Sequence, residues 1–230
     1  VITTLEISAS PTKSSCGKPA DVIFVLDTSS SIWPIDFTKY VLTFVQNVVS
    51  VFNVGPHETQ SRVGAVTFSN DVKLEFNLNS FQNKDDVLSA ISRIRFRGGN
   101  THTDKALKYV SQNMFDENKG SRSGVAHIIV VLTDGKSSNN FKTIMEAENA
   151  RQRGAIIFAI GVGEAEDSEL AQIASEPTSQ FKFKVTDFAA LDGIKIELAL
   201  KACDVNLPTS TTVTPTTAIT TTAATTTTTA

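Results

Sequence analysis

The feature that most limits how this chain can fold is a set of four short, nearly continuous apolar runs. They are Val22-Ile23-Phe24-Val25-Leu26, Val63-Gly64-Ala65-Val66-Thr67-Phe68, Ile128-Ile129-Val130-Val131-Leu132 and Ala155-Ile156-Ile157-Phe158-Ala159-Ile160. All are rich in β-branched residues and apolar on both faces, as the central strands of a covered parallel sheet must be. Between them the apolar period changes to three and four. Phe37, Tyr40, Val41, Phe44, Val45, Val48 and Val51 follow Pro34, a residue suited to a first helical turn. Helical patterns also cover 85–94, 103–115, 141–153, 168–175 and 188–202, and Gly154 stands where a helix must stop before the fourth run. Val72, Leu74 and Phe76 alternate with polar residues after a turn at Ser69-Asn70-Asp71, which predicts an edge or antiparallel strand. Phe181, Phe183 and Val185 alternate with Lys182 and Lys184, as in a final edge strand guarded by lysines. The expected fold class is α/β, a doubly wound, mostly parallel sheet with one antiparallel edge strand and helices on both faces. Sheets of this kind bind ligands beyond the carboxyl ends of their strands, so the residues that follow each strand are those to read for function.

The apolar patterning divides the 230 residues into an N-terminal extension (1–19), one domain (20–203) and a tail (204–230). Beyond Pro208 the tail is mostly Thr with Pro and Ala, too little apolar surface to fold; it reads as an O-glycosylated stalk or a bare linker. No Asn-x-Ser/Thr sequon occurs, so N-glycosylation is not expected. With 21 Lys and Arg against 24 Asp and Glu, no basic excess marks a nucleic-acid partner. Arg93, Arg95 and Arg97 form a local basic cluster, but Ile94 and Phe96 between them predict arginines turned to solvent and apolar residues turned inward. No apolar run approaches the roughly 20 residues of a membrane span. The N-terminus lacks the pattern of a signal peptide, so either one has been removed or the chain is an excerpt of a longer protein. Cys16 and Cys203 flank the apolar domain almost symmetrically. A bridge between them is expected and would imply an oxidising, extracellular compartment; the alternative is that each pairs elsewhere in a larger parent.

Function concentrates in three segments. Asp27-Thr28-Ser29-Ser30-Ser31 follows the first run, Asp134-Gly135 follows the third, and Gly98-Gly99-Asn100-Thr101-His102-Thr103 forms a loop before a helix. Asp27, Ser29 and Ser31 stand at alternate positions and can turn toward one point, while Thr101 and Asp134 add a third hydroxyl and a second carboxylate. Every donor is oxygen, which selects a hard cation, Mg2+ or Mn2+, over zinc. The set leaves a position open for a carboxylate from outside. Machinery for catalysis is not legible. There is no Gly-x-x-x-x-Gly-Lys-Ser/Thr loop and no Gly-x-Ser-x-Gly elbow. Gly161-Val162-Gly163 lacks the third glycine of a dinucleotide fingerprint and follows the wrong strand. His57, His102 and His127 have no readable partner. The chain is therefore expected not to be an enzyme.

Asp27-x-Ser29-x-Ser31, Thr101 in its Gly-rich loop and Thr133-Asp134-Gly135 resemble the metal-ion-dependent adhesion site of von Willebrand factor A domains. The stretches around Val54-Gly55-Pro56, Arg62-Val63-Gly64, Val66-Thr67-Phe68-Ser69 and Ile160-Gly161-Val162-Gly163 are similar to the family as well. The resemblance implies that Ser29, Ser31 and Thr101 touch the ion directly, that Asp27 and Asp134 bind it mainly through water, and that a partner's Glu or Asp completes the coordination. It implies a secreted matrix module within a multidomain or multivalent assembly, with collagen or another matrix protein as partner. A structural scaffold block of byssal or shell type, its metal site not used for ligands, is the alternative. The terminal cysteines resemble the matrilin, collagen-associated and von Willebrand factor subgroup more than integrin inserted domains. In those inserted domains the resemblance implies an affinity switch driven by sliding of the last helix. Trp33, just past the site, either contacts the partner or packs against the first helix.

Overall fold

The computed structural model describes residues 18–205. The extension up to residue 17, with Cys16, and the tail from 206, with the glycosylation reading placed on it, lie outside the described residues. Six strands form one sheet, β1 (Ala20–Asp27), β2 (Arg62–Phe68), β3 (Val72–Phe76), β4 (Ala126–Thr133), β5 (Ala155–Val162) and β6 (Lys182–Val185), in the spatial order β3-β2-β1-β4-β5-β6. All neighbouring pairs are parallel except β2 and β3. The antiparallel edge strand and the lysine-bearing last strand therefore occupy the two edges, where their alternating patterns place them.

The first helix runs from α1 (Pro34–Asp36) through a π-helical turn at Phe37–Val41 into α2 (Leu42–Val51). Then come α3 (Lys84–Ser92), α4 (Thr103–Tyr109), α5 (Asn140–Gln152), α6 (Asp167–Ile173), α7 (Thr178–Phe181) and α8 (Leu191–Asp204). The helix expected over 103–115 is α-helical only as far as Tyr109; a π-helical turn at Val110–Met114 completes it, and still buries Val110 and Met114. The last helix begins at Leu191, three residues later than its apolar period suggests, because Asp187 Oδ1 accepts the Ala190 N–H and closes a turn there.

Every residue of β1 is buried, and β4 and β5 are buried along nearly their whole length on both faces. Two helix groups provide the cover: α2 packs with α3 and α8, while α4 packs with α5 and α5 with α6. Strand order reverses between β1 and β4, since β2 and β3 are added on one side of β1 and β4 to β6 on the other. The crevice at that reversal, beyond the carboxyl ends of β1 and β4, is where a doubly wound sheet offers a binding site.

Candidate metal centre

Asp27 is the last residue of β1, and its side chain is fully buried. Its Oδ1 accepts the Ser29 N–H at 2.7 Å, an Asx turn that reverses the chain directly after the strand. Its Oδ2 accepts the hydroxyl of Thr133, the last residue of β4, at 2.6 Å. The turn brings the Ser29 and Ser31 hydroxyl oxygens to 3.0 Å from each other, and the Ser31 hydroxyl donates to Asp134 Oδ1 at 2.6 Å. Asp27, Ser29, Ser31 and Asp134 thus form one continuous polar cluster across the β1–β4 crevice.

Thr101 reaches the same place through its backbone. Gly98 and Gly99 have φ of +77° and +116°, conformations that favour glycine. The Gly98 N–H donates to Thr28 O at 2.9 Å, the Ser30 N–H to Gly99 O at 2.9 Å, and the Gly99 N–H to Ser30 Oγ at 2.8 Å. On its other side the Thr101 N–H donates to Ser138 Oγ at 3.1 Å, and the Ser138 N–H to Thr101 O at 2.8 Å. The three loops read from the sequence are therefore hydrogen-bonded into one ring.

Burial dominates the electrostatics. It pushes the Asp27 carboxyl from its ordinary 3.8 up to about 6, against the hydrogen bonds from Thr133 and Ser29, and repulsion from Asp134 adds to the rise. Burial also raises Asp134, with the Ser31 hydroxyl opposing. Among the described residues no Lys, Arg or His acts on either carboxyl. Among the described residues no three His, Cys, Asp or Glu side chains gather into a metal-holding group, so an ion here would rest on hydroxyl oxygens as well as on the two carboxylates. A pair of desolvated carboxylates with adjacent hydroxyls and no cationic neighbour fits a small divalent cation.

Other residues read from the sequence resolve differently. Trp33 is 72% exposed rather than packed on the first helix. Phe141, at the start of α5 after the Asp134 loop, is 77% exposed. Ile94 is buried, and Arg93, Arg95 and Arg97 are exposed, but the Arg97 guanidinium donates to Thr67 O at 3.2 Å and Asp71 O at 2.9 Å and so braces the β2–β3 turn. Two histidines have acidic neighbours invisible to the sequence, His102 with Asp104 at 3.5 Å and His127 with Asp21 at 4.0 Å. Thr133, Ser30 and Ser138 bond directly to site residues or their loops, and none of them stands among the five candidate donors. The signals for the first two are their places in Thr133-Asp134-Gly135 and in Asp27-Thr28-Ser29-Ser30-Ser31; Ser138 acts across to another loop and carries no local pattern.

Residues 21–196 match the von Willebrand factor type A domain. The chain belongs to this family. It is 40% identical to the collagen alpha-1(XXI) chain of Xenopus laevis over 194 residues, covering 84% of this chain and 19% of that one. It is 35% identical to matrilin-1 of Gallus gallus over 187 residues, covering 81% of this chain and 37% of the matrilin. Among solved structures, proximal thread matrix protein 1 from the mussel byssus, with a zinc-occupied MIDAS motif, superposes with a TM-score of 0.77 at 30% identity. That superposition covers 82% of this chain and 49% of the byssal one. The chain thus spans from about a fifth to half the length of these relatives. They are structural proteins of extracellular matrices, not enzymes.

Proposed function

We propose that this A domain is an extracellular adhesion module, not an enzyme, that binds a matrix protein through a divalent cation held by Asp27, Ser29, Ser31, Thr101 and Asp134. The observation that carries this reading is the hydrogen-bonded Asp27–Ser29–Ser31–Asp134 cluster, which runs from the buried Asp27 out to the exposed Ser31 and holds two carboxylates raised by burial with no cationic side chain among the described residues acting on them. Asp27 and Asp134 balance the charge of the ion, and the three hydroxyls supply neutral oxygens. When bound, the ion offers a positive centre to which a Glu or Asp of the partner attaches. Compact hydroxyl coordination favours Mg2+ or Mn2+ over the larger calcium. Zinc in the byssal relative's motif makes zinc the third ion to compare. Collagen and other matrix proteins are the leading partner class, and the exposed Trp33 and Phe141 are placed to meet them.

Calorimetry with Mg2+ and Mn2+ tests the metal. The native domain should bind either ion and Asp27→Ala neither, with the fold kept; an unchanged affinity in the variant removes the assignment. Solid-phase binding to triple-helical collagen and to other matrix proteins, with and without chelator, tests the partner. Similarity to a byssal thread protein favours a second reading, a scaffold block whose assembly ignores the ion. Binding that survives chelator would select it.

A further inference from the structure

Behind the metal loops lies a carboxylate that the proposed site does not use. Glu169, in the first turn of α6, is 3% exposed, and so is nearly as buried as Asp27. Its Oε2 accepts the Ser137 N–H at 3.1 Å, and its Oε1 accepts the Ser137 hydroxyl in a short bond. Around it, Thr103, Thr133, Gly135, Leu170 and Ile173 leave a void with no room for water. A buried carboxyl group in such a place costs free energy unless its hydrogen bonds are made, so it strongly favours the one loop conformation that makes them.

That conformation leads straight to the site. Ser137 is followed by Ser138, which exchanges two hydrogen bonds with Thr101, and is preceded by the segment that carries Asp134. We propose that Glu169 is a positioning residue for the metal site: by clasping Ser137 it holds the loop that presents Asp134 and, through Ser138, places Thr101. This rests on the metal-binding reading above. The clasp ties α6 to two donor loops, so part of the domain's affinity for the ion resides in a residue that does not touch it. Lys136 and Glu166 also join the two segments, at 2.7 Å, but both are solvent-exposed and so contribute little.

The test compares Glu169→Ala, Glu169→Gln, Ser137→Ala and Lys136→Ala in the whole chain. Mn2+ affinity is measured by calorimetry, and backbone amide exchange by NMR in the metal-free domain. Glu169→Ala should weaken Mn2+ binding by about tenfold or more, as loss of a supporting partner does at other metal sites. It should also speed exchange at the Ser138 and Thr101 amides while leaving Val130, in the core of β4, protected. Ser137→Ala, which keeps the N–H, should show a smaller effect, and Lys136→Ala none. Glu169→Gln should restore most of the affinity, because its carbonyl still accepts the Ser137 N–H and the Ser137 hydroxyl can turn to accept its amide. A folded Glu169→Ala domain with native affinity and native exchange overturns the proposal. So does a Gln variant as impaired as the Ala variant, which would assign the effect to the charge of Glu169 rather than to its bonds. If the native domain binds no Mn2+, the metal reading fails, and the exchange data still decide whether Glu169 positions the loops.

Discussion

At the scale of single residues, the buried Asp27 carboxyl sets folding against the proposed metal binding. The folded domain holds its carboxyl proton more tightly than an unfolded chain, about 6 against 3.8. Below pH 3.8 both states are protonated and the residue adds no pH-dependent stability. As pH rises through this window the unfolded chain ionises first, and the metal-free fold loses stability until about pH 6. By linkage the loss is about 3 kcal/mol above that point. Asn keeps an acceptor for the Ser29 N–H, and its amide can donate to the Thr133 hydroxyl, without the charge. Metal-free Asp27→Asn should therefore melt higher than the native domain at pH 7.5, with the gap closing toward pH 4. Added Mn2+ should raise the melting temperature of the native domain and not that of the variant. Scanning calorimetry of both proteins across this range decides it. A variant that melts lower than the metal-free native domain at pH 7.5 contradicts the argument.

At the scale of elements, the approach of α6 to the sheet depends on one glycine. Gly161 of β5 pairs with Thr133 of β4, and a Cβ on it would stand 2.9 Å from the Ala165 Cβ and overlap the Leu170 side chain. Gly161→Ala should cost about 2 kcal/mol through overpacking. It should also displace α6, and with it Glu169, so Mn2+ affinity should fall along with the denaturation midpoint. Equal affinity in a destabilised but folded variant would separate the two. In the sequence, Gly161 and Gly163 invite comparison with a nucleotide fingerprint; in the fold Gly161 serves helix packing. The four central strands are legible because both of their faces are apolar, and the two edge strands because apolar and polar residues alternate. Asp27, Ser29, Ser31 and Asp134 are legible because they lie at or just after strand ends, and Thr101 because it sits in a Gly-rich loop before a helix. The adjacency of β1 and β4 was not legible, since 106 positions separate Thr133 from the Asp27 carboxylate it bonds. The π-helical turns were also hidden, because Phe37, Val41, Val110 and Met114 keep a four-residue spacing that reads as ordinary α-helix.

At the scale of the whole molecule, the two ends of the domain lie at the opposite end of the sheet from the candidate metal site. α8 returns against the strand direction, and its last residue Asp204 and the following Val205 border Gly154, Ala155 and Ile156 where β5 begins. The chain enters β1 at Ala20, at the same amino end of the sheet, with Ala20 paired to Ala126. Cys203 is buried in the final turn of α8, and Cys16 stands four positions before Ala20 in the sequence. We expect a bridge between them. In the chain-entropy account, closing so long a loop restricts the unfolded chain by about 5 kcal/mol. The bridge would also reinforce contacts that already hold this end of α8. The Lys201 ammonium lies 4.8 Å from the Phe183 ring centre and donates to Ser179 O at 3.3 Å. A helix fastened at its far end cannot slide along the sheet without straining a bond of narrow geometry, so a two-position switch would be biased to a single position. The domain should then bind with one fixed, modest affinity, and strong adhesion should come from repeated copies or a multivalent partner. Peptide mapping of secreted protein should find Cys16 joined to Cys203. Cys203→Ser should lower the melting temperature and broaden the NMR signals of α8. Free thiols in the secreted protein, or two well-populated α8 positions in the oxidised domain, would mean that affinity is set by helix movement after all.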